Sequence, residues 1–283
     1  MIEGILALLV RIISNPLANA VQKLLAKKYS AVLINLLSFV FLSLFCLYPA
    51  SFYNWGEYSG NYWFYVALAG ILCTLGSVCL IKALQIGEMS VLGPINSYKC
   101  LVGLMFGYVI LGEIPSLTAL LGVLFIVYGS WFIFDTVDDG FSFKILLRKD
   151  VILRFCALFC TGCEAVVLKK IILMSSVTES FILWCFSGMV FSLLLMFILR
   201  QKFMSFSRKD LLLVLGIAVC LGLMQYSTNV VFKWLDVGLS LALFQLSSVI
   251  SVFFGYFMFR EGALMKKLIG TVIMVVGSAL ILL

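Results

Sequence analysis

The chain has 283 residues, 64% of them hydrophobic and only 12% charged, with a formal net charge of +7 and a mean hydropathy of +1.18. Soluble domains are about half apolar, so this composition excludes a water-soluble globular fold. No stretch is left over for a soluble domain beside the apolar runs.

The first run, residues 4–25, contains "LALLVRIISNPLANA", whose Ala-x-Ala ending resembles a signal-peptide cleavage site. Glu3 and no basic residue precede it, however, and Arg11 interrupts the apolar core, so the run reads as a membrane helix. Crossing about 30 Å of hydrocarbon takes roughly 20 mostly apolar residues. Further runs of that kind fall at 31–50, 61–84, 90–111, 117–135, 151–173, 180–199, 211–233, 239–259 and 264–283. Continuous helices are the structures that satisfy the backbone of runs this long in lipid. The expected fold class is an all-α membrane protein with ten transmembrane helices.

Polar residues recur inside these runs at helical spacing. In the first, Arg11, Asn15, Asn19 and Gln22 share one face. In the fourth, Asn96, Lys99, Gly103 and Gly107 form a stripe, and in the sixth Cys156, Cys160 and Glu164 do so with Thr161 beside them. The eighth carries "QYSTN", Gln225 to Asn229, and the ninth Gln245, Ser248 and Gly255. Such faces avoid lipid, so together they outline a polar central cavity. The candidate substrate-binding residues are Lys99, Asn96, Arg11, Asn15, Asn19, Glu164, Gln225, Gln245 and Ser248. Interhelical hydrogen bonding, worth about 0.6 kcal/mol on average in membranes, is the plainer role for Asn15, Asn19 and Gln245. Trp184, Tyr98 and Tyr226 are either cavity walls or ordinary packing. Trp55, Tyr58, Tyr62 and Trp63 read as an interfacial aromatic belt.

Lys99 poses the sharpest question. It lies about ten residues from either end of the 90–111 run, roughly 15 Å from each interface at 1.5 Å per residue. An unpaired ammonium there costs about 2.5–3.5 kcal/mol on insertion scales. Two readings stay open: a fixed ion pair with Glu164, or a contact to a substrate anion.

The two halves of the chain repeat. "KALQIG" (82–87) aligns with "KWLDVG" (233–238), and "GEIPSLTALLGVLFIVYGS" with "REGALMKKLIGTVIMVVGS". The second pair matches Glu113 to Glu261, Gly122 to Gly270, Gly129 to Gly277 and Ser130 to Ser278, at an offset of 261 − 113 = 148. Residues 1–135 make the first unit, 136–150 a connecting loop and 151–283 the second. Five helices per unit, an odd number, make the units enter the membrane in opposite senses, an inverted repeat of the kind found in secondary transporters. Glu113 and Glu261 read as caps on the helix that follows each, and Lys82 and Lys233 as side chains that snorkel to the headgroups.

In this pattern of paired five-helix units, each with a Glu followed by two glycines seven residues apart, the chain resembles the EamA-type branch of the drug/metabolite transporter superfamily. The resemblance implies a ten-helix secondary carrier that moves a small metabolite, often by export, with no bound cofactor. Many members have a Pro about thirteen residues before the Glu, where Cys100 and Ser248 stand here. With two cations, Arg11 and Lys99, against the single carboxylate Glu164, the favoured cargo is an amino acid or another small compound bearing a carboxylate or phosphate. The alternatives are export of organic cations on Glu164, or a non-transporting assembly or sensor subunit.

Enzymatic readings fare poorly: the chain has no His for a triad or metal site and no Gly-rich phosphate loop. Its 9 Cys lie mostly in apolar runs, and "CTGC" (160–163) reads as packing, not a redox pair. Expected partners are the small-molecule substrate and the lipid bilayer, as a monomer or homodimer, with no nucleic acid and no metal. With the N-terminus outside, fifteen Lys and Arg fall on cytoplasmic positions and three outside, with Arg11 and Lys99 within the membrane. The positive-inside rule then places both termini outside a bacterial cytoplasmic membrane.

Overall fold

The computed structural model describes residues 2–106, 116–136 and 143–281. It is all-helical among these residues, in the order α1 (Ile2–Ala26), α2 (Ala31–Ala50), α3 (Gly60–Ile86), α4 (Met89–Leu92), α5 (Lys99–Phe106), α6 (Leu117–Phe134), α7 (Lys149–Met174), α8 (Val177–Ile198), α9 (Arg208–Trp234), α10 (Val237–Phe244), α11 (Ser247–Phe259) and α12 (Leu264–Leu280). Eight helical stretches are long and apolar enough to cross a membrane, α10 and α11 counting as one. The expected ten differ from this in two places. The 90–111 run is interrupted, and α12 extends over only 17 residues.

Serine side chains start four of the long helices. Ser30, Ser116, Ser176 and Ser207 each accept the backbone N–H three residues on, at 3.0–3.3 Å, which satisfies a donor that the first turn leaves unpaired. The interruption has an equally local cause. Pro94 has no N–H to give and its ring clashes with the preceding turn, so α4 stops at Leu92, a 3-10 turn covers Pro94–Tyr98, and α5 begins at Lys99. The second unit lacks that Gly-Pro pair, and α10 runs on to Phe244 before a short break at Gln245 and Leu246.

The principal helix pairings all cross between the two units: α1 with α9, α3 with α7, α2 with α8, α4 with α11, and α6 with α12. Exchanging the units maps the α1–α9 contact onto α7–α3, the α4–α11 contact onto α10–α5, and the α2–α8 and α6–α12 contacts onto themselves, so the packing carries the symmetry that the sequence repeat announces. The repeated glycines lie at the α6–α12 crossing. A Cβ on Gly122 would lie 2.5 Å from the carbonyl oxygen of Gly277, and one on Gly270 would lie 2.5 Å from that of Gly129. Only hydrogen fits where the two backbones touch. Elsewhere the long helices present Leu, Phe, Ile and Val outward, for example Leu124, Leu194 and Phe197, an exposure that water would not tolerate and lipid accepts.

One cluster of charges joins the units near one end of the bundle. Glu261, in the turn between α11 and α12, accepts the backbone N–H groups of Met89 and Ser90 at 2.8 Å, the Ser90 hydroxyl at 2.5 Å and the Lys23 ammonium at 2.6 Å. Lys267 donates to Glu88 at 2.5 Å and to Ser90 Oγ at 2.8 Å. The expectation that Glu261 caps the helix after it is therefore corrected. It caps α4, the short helix of the other unit, because the turn brings its carboxylate over that helix's free N–H groups. Glu113 lies outside the described residues. Tyr62 likewise leaves the expected belt: it is fully buried, stacked on Tyr58 with ring centroids 4.1 Å apart. Lys82 and Lys233 are exposed, as snorkelling requires.

Candidate functional site

A cavity of about 120 Å³ lies between the units, walled by α1, α3, α7 and α9 with contributions from α2, α8, α10 and the α4–α5 segment. The whole polar stripe of α1 faces it. Arg11, Asn15, Asn19 and Gln22 line one wall, as their spacing requires. The Arg11 guanidinium is held by a hydrogen bond from Nε to Thr228 Oγ1 (2.9 Å) and by the Phe244 ring, 4.7 Å from its carbon. Its Nη1 is buried with no hydrogen-bond partner, as is Gln22 Oε1.

The opposite wall is built on the α4–α5 break. Interrupting a helix in apolar surroundings frees backbone carbonyls that must be satisfied from within the protein. Here Arg154 Nε donates to the Leu92 carbonyl at 2.9 Å and Nη2 to Asn96 Oδ1 at 2.9 Å. Asn96 passes the contact on, its Nδ2 donating to Gln245 Oε1 at 3.0 Å. Lys99 follows as the first residue of α5. It therefore does not sit ten residues into a continuous helix; the Gly93–Pro94 break places it at a helix start, the end of the macrodipole that favours anions rather than cations.

Of the two readings of Lys99, the fixed ion pair with Glu164 does not form. Among the described residues no carboxylate lies within 4.0 Å of Lys99, Arg11 or Arg154, and the five ion pairs present involve other residues. Glu164 instead accepts the Trp184 indole N–H at 2.8 Å. Among the described residues the cavity wall thus carries three cations and one carboxylate, a formal net of two positive charges.

Seven of the nine residues singled out from the sequence line this cavity: Lys99, Asn96, Arg11, Asn15, Asn19, Glu164 and Gln225. Gln245 and Ser248 do not. They are buried at the α10–α11 junction, where Gln245 Nε2 bonds the Leu241 carbonyl at 2.8 Å and Ser248 Oγ the Gly93 carbonyl at 3.2 Å. Both brace the two helix breaks against each other. On α7 the stripe is rotated from the expected one: Arg154, Ala157, Thr161 and Glu164 face the cavity, and Cys156 is exposed. Trp184 is a wall residue. Tyr98 bonds Ser130 outside the cavity (2.9 Å), and Tyr226 is exposed on the outer surface. Gly107 lies outside the described residues.

Arg154, one of the fifteen basic residues that the sequence assigns to the cytoplasmic side, lines the cavity instead. The signal was present. Helix α7 begins at Lys149, so Arg154 stands more than a turn inside and shares a face with Glu164, ten residues on.

The chain matches the EamA-like transporter family over residues 2–135 and again over 148–283. It belongs to that family. The double match corresponds to the two units whose helices interleave around the cavity. A solved structure described as "Crystal structure of protein" is similar to this EamA-family chain with a TM-score of 0.69 over 99% of this chain and 94% of that one, at 15% sequence identity, and so shares its fold. No curated protein matches. The family identifies a multi-pass membrane transporter of the drug/metabolite transporter superfamily, and the cavity is where the repeats of this EamA protein meet.

Proposed function

We propose that this protein is a secondary transporter that exports a small metabolite bearing a carboxylate or phosphate, by alternating access to the cavity between its two units. The observation that carries the reading is the set of three cations, Arg11, Lys99 and Arg154, lining a cavity in the membrane interior with no carboxylate within ion-pairing distance among the described residues. Charged side chains at that depth are retained where they face a cavity and serve a pathway. The cavity's size supports a small cargo, because pockets for drug-sized ligands start near 300 Å³. Export of organic cations on Glu164 fits poorly with a wall of net positive charge.

In this reading ten helices cross the membrane, the interrupted α4–α5 and α10–α11 pairs and the short α12 included, as two inverted five-helix repeats. Both termini face outward across a bacterial cytoplasmic membrane. Moving Arg154 from the rim to the cavity leaves fourteen basic residues on the cytoplasmic side against three outside, so the positive-inside bias persists. The test is counterflow in reconstituted vesicles. Preloading with a cargo anion should drive saturable uptake of the same labelled compound, and vesicles in which no carboxylate- or phosphate-bearing compound exchanges above protein-free controls would refute the proposal.

A further inference from the structure

Cavity charge narrows the substrate class, and the step taken here rests on the transporter reading above. We infer that the cargo is a compact organic dianion, a phosphate monoester or a short dicarboxylate, and not a zwitterionic amino acid. Among the described residues three cations and one carboxylate leave the wall formally two charges positive. A dianion neutralises that wall; an amino acid, with no net charge, leaves it uncompensated and brings its own ammonium beside three others. Among the described residues the one cavity-lining carboxylate that could receive that ammonium is Glu164, whose Oε1 already accepts the Trp184 N–H at 2.8 Å.

The contacts left open point the same way. Arg11 is nine-tenths buried, lines the cavity and has an Nη1 with no hydrogen-bond partner, and Lys99, on the same cavity, carries an ammonium with no ion-pair partner among the described residues. Arg guanidinium and Lys ammonium are the groups that hold phosphate and carboxylate oxygens through charge-assisted hydrogen bonds. Arg154 is committed by two hydrogen bonds to the α4–α5 break, so it contributes charge to the site while Arg11 and Lys99 make the contacts.

The test is ligand binding and counterflow on the purified full chain with four probes: glycerol 3-phosphate, malate, alanine and tetraethylammonium. At least one dianion should raise the unfolding temperature and exchange across the vesicle, with alanine and tetraethylammonium inert. Lys99→Met and Arg11→Gln each remove a charge that has no ion-pair partner among the described residues, so both should fold, and each should weaken dianion binding by roughly ten- to a hundredfold, the value of a charged hydrogen bond. Lys99→Arg, which keeps the charge, should retain most of the affinity. Dianion binding that is unchanged in both Lys99→Met and Arg11→Gln overturns the site. Counterflow of alanine or tetraethylammonium without any for the dianions overturns the substrate class and leaves the transporter standing. Tight dianion binding with no counterflow of any probe does the reverse.

Discussion

Glu261 offers a stringent test of how the two units are joined. Its carboxylate, with 6% of the side chain accessible, receives four hydrogen bonds from α1 and α4. Glu261→Ala strands Lys23, whose side chain is 11% accessible, and leaves the Met89 and Ser90 N–H groups unpaired. Removing one partner of a buried pair costs about 3–5 kcal/mol, and each orphaned donor adds about 1–3 kcal/mol where water cannot reach it. The expected loss is therefore at least about 3 kcal/mol, read by denaturant unfolding in mixed micelles. Glu261→Gln combined with Lys23→Met should lose less than Glu261→Gln alone, because no charge is then stranded. A Glu261→Ala protein within about 1 kcal/mol of the parent would refute the argument.

The same residue gives a pH dependence. Burial pushes the Glu261 carboxyl up, but the hydrogen bonds from Lys23 and Ser90 outweigh it and hold the group below its ordinary value. A carboxyl depressed in the folded state contributes stability that is complete above its unfolded value, about 4.3, and is lost as the pH falls through the folded one. The stability gap between the parent and Glu261→Gln should accordingly be widest near neutrality and close on acidification below about pH 4.

Gly129→Leu should destabilise by about 1–3 kcal/mol or more, since even a Cβ would lie 2.6 Å from the Gly270 carbonyl. By contrast Gly216→Ala, where nothing lies within 4 Å, should be neutral or slightly stabilising in the same unfolding assay. Arg154→Met should cost about 1–3 kcal/mol by leaving the Leu92 carbonyl unpaired, seen as a lowered unfolding temperature in detergent. A reporter fused after Leu283 and active only in the periplasm should be active; a cytoplasm-only signal would reverse the proposed orientation.

Helix positions and polar stripes were legible because both depend on residues close in sequence. Apolar runs of membrane length declare themselves, and Arg11, Asn15, Asn19 and Gln22 fall on one face by helical period alone. The α4–α5 break was visible in Gly93 and Pro94 but was read as a continuous helix, because transmembrane helices often absorb a proline. What was not legible depends on the partner across the interface. Glu261 caps a helix 172 residues away in the chain, and no local pattern announces that. Whether Lys99 pairs with Glu164 could not be decided from the sequence, where Arg11, Lys99 and Glu164 were the buried charges in view; the rotation of α7 brings Arg154 to the cavity and the Trp184 indole to Glu164.

The two units share a framework and differ in chemistry, and the difference is concentrated where the cavity lies. Helix α5 begins at Lys99 and α11 at Ser247, separated by the offset of the repeated glycine block, 247 − 99 = 148. The glycines of the α6–α12 crossing keep the same offset, as 270 − 122 = 148. Backbone events are thus preserved between the copies while side chains are not: Lys99 corresponds to Ser247, and Asn96 to Phe244, the ring against which Arg11 rests. Under the proposed alternating access, a symmetric scaffold would give two arrangements of similar energy, in which either end of the cavity closes by exchanging the roles of the units. An asymmetric lining would then give the cargo one set of cationic contacts that belongs to neither arrangement more than the other. On this view the charges at Lys99 and Arg11 fix what is carried, and the glycines and broken helices fix how it moves. Substitutions at the first should change selectivity with the unfolding temperature held, and substitutions at the second should change turnover and stability together.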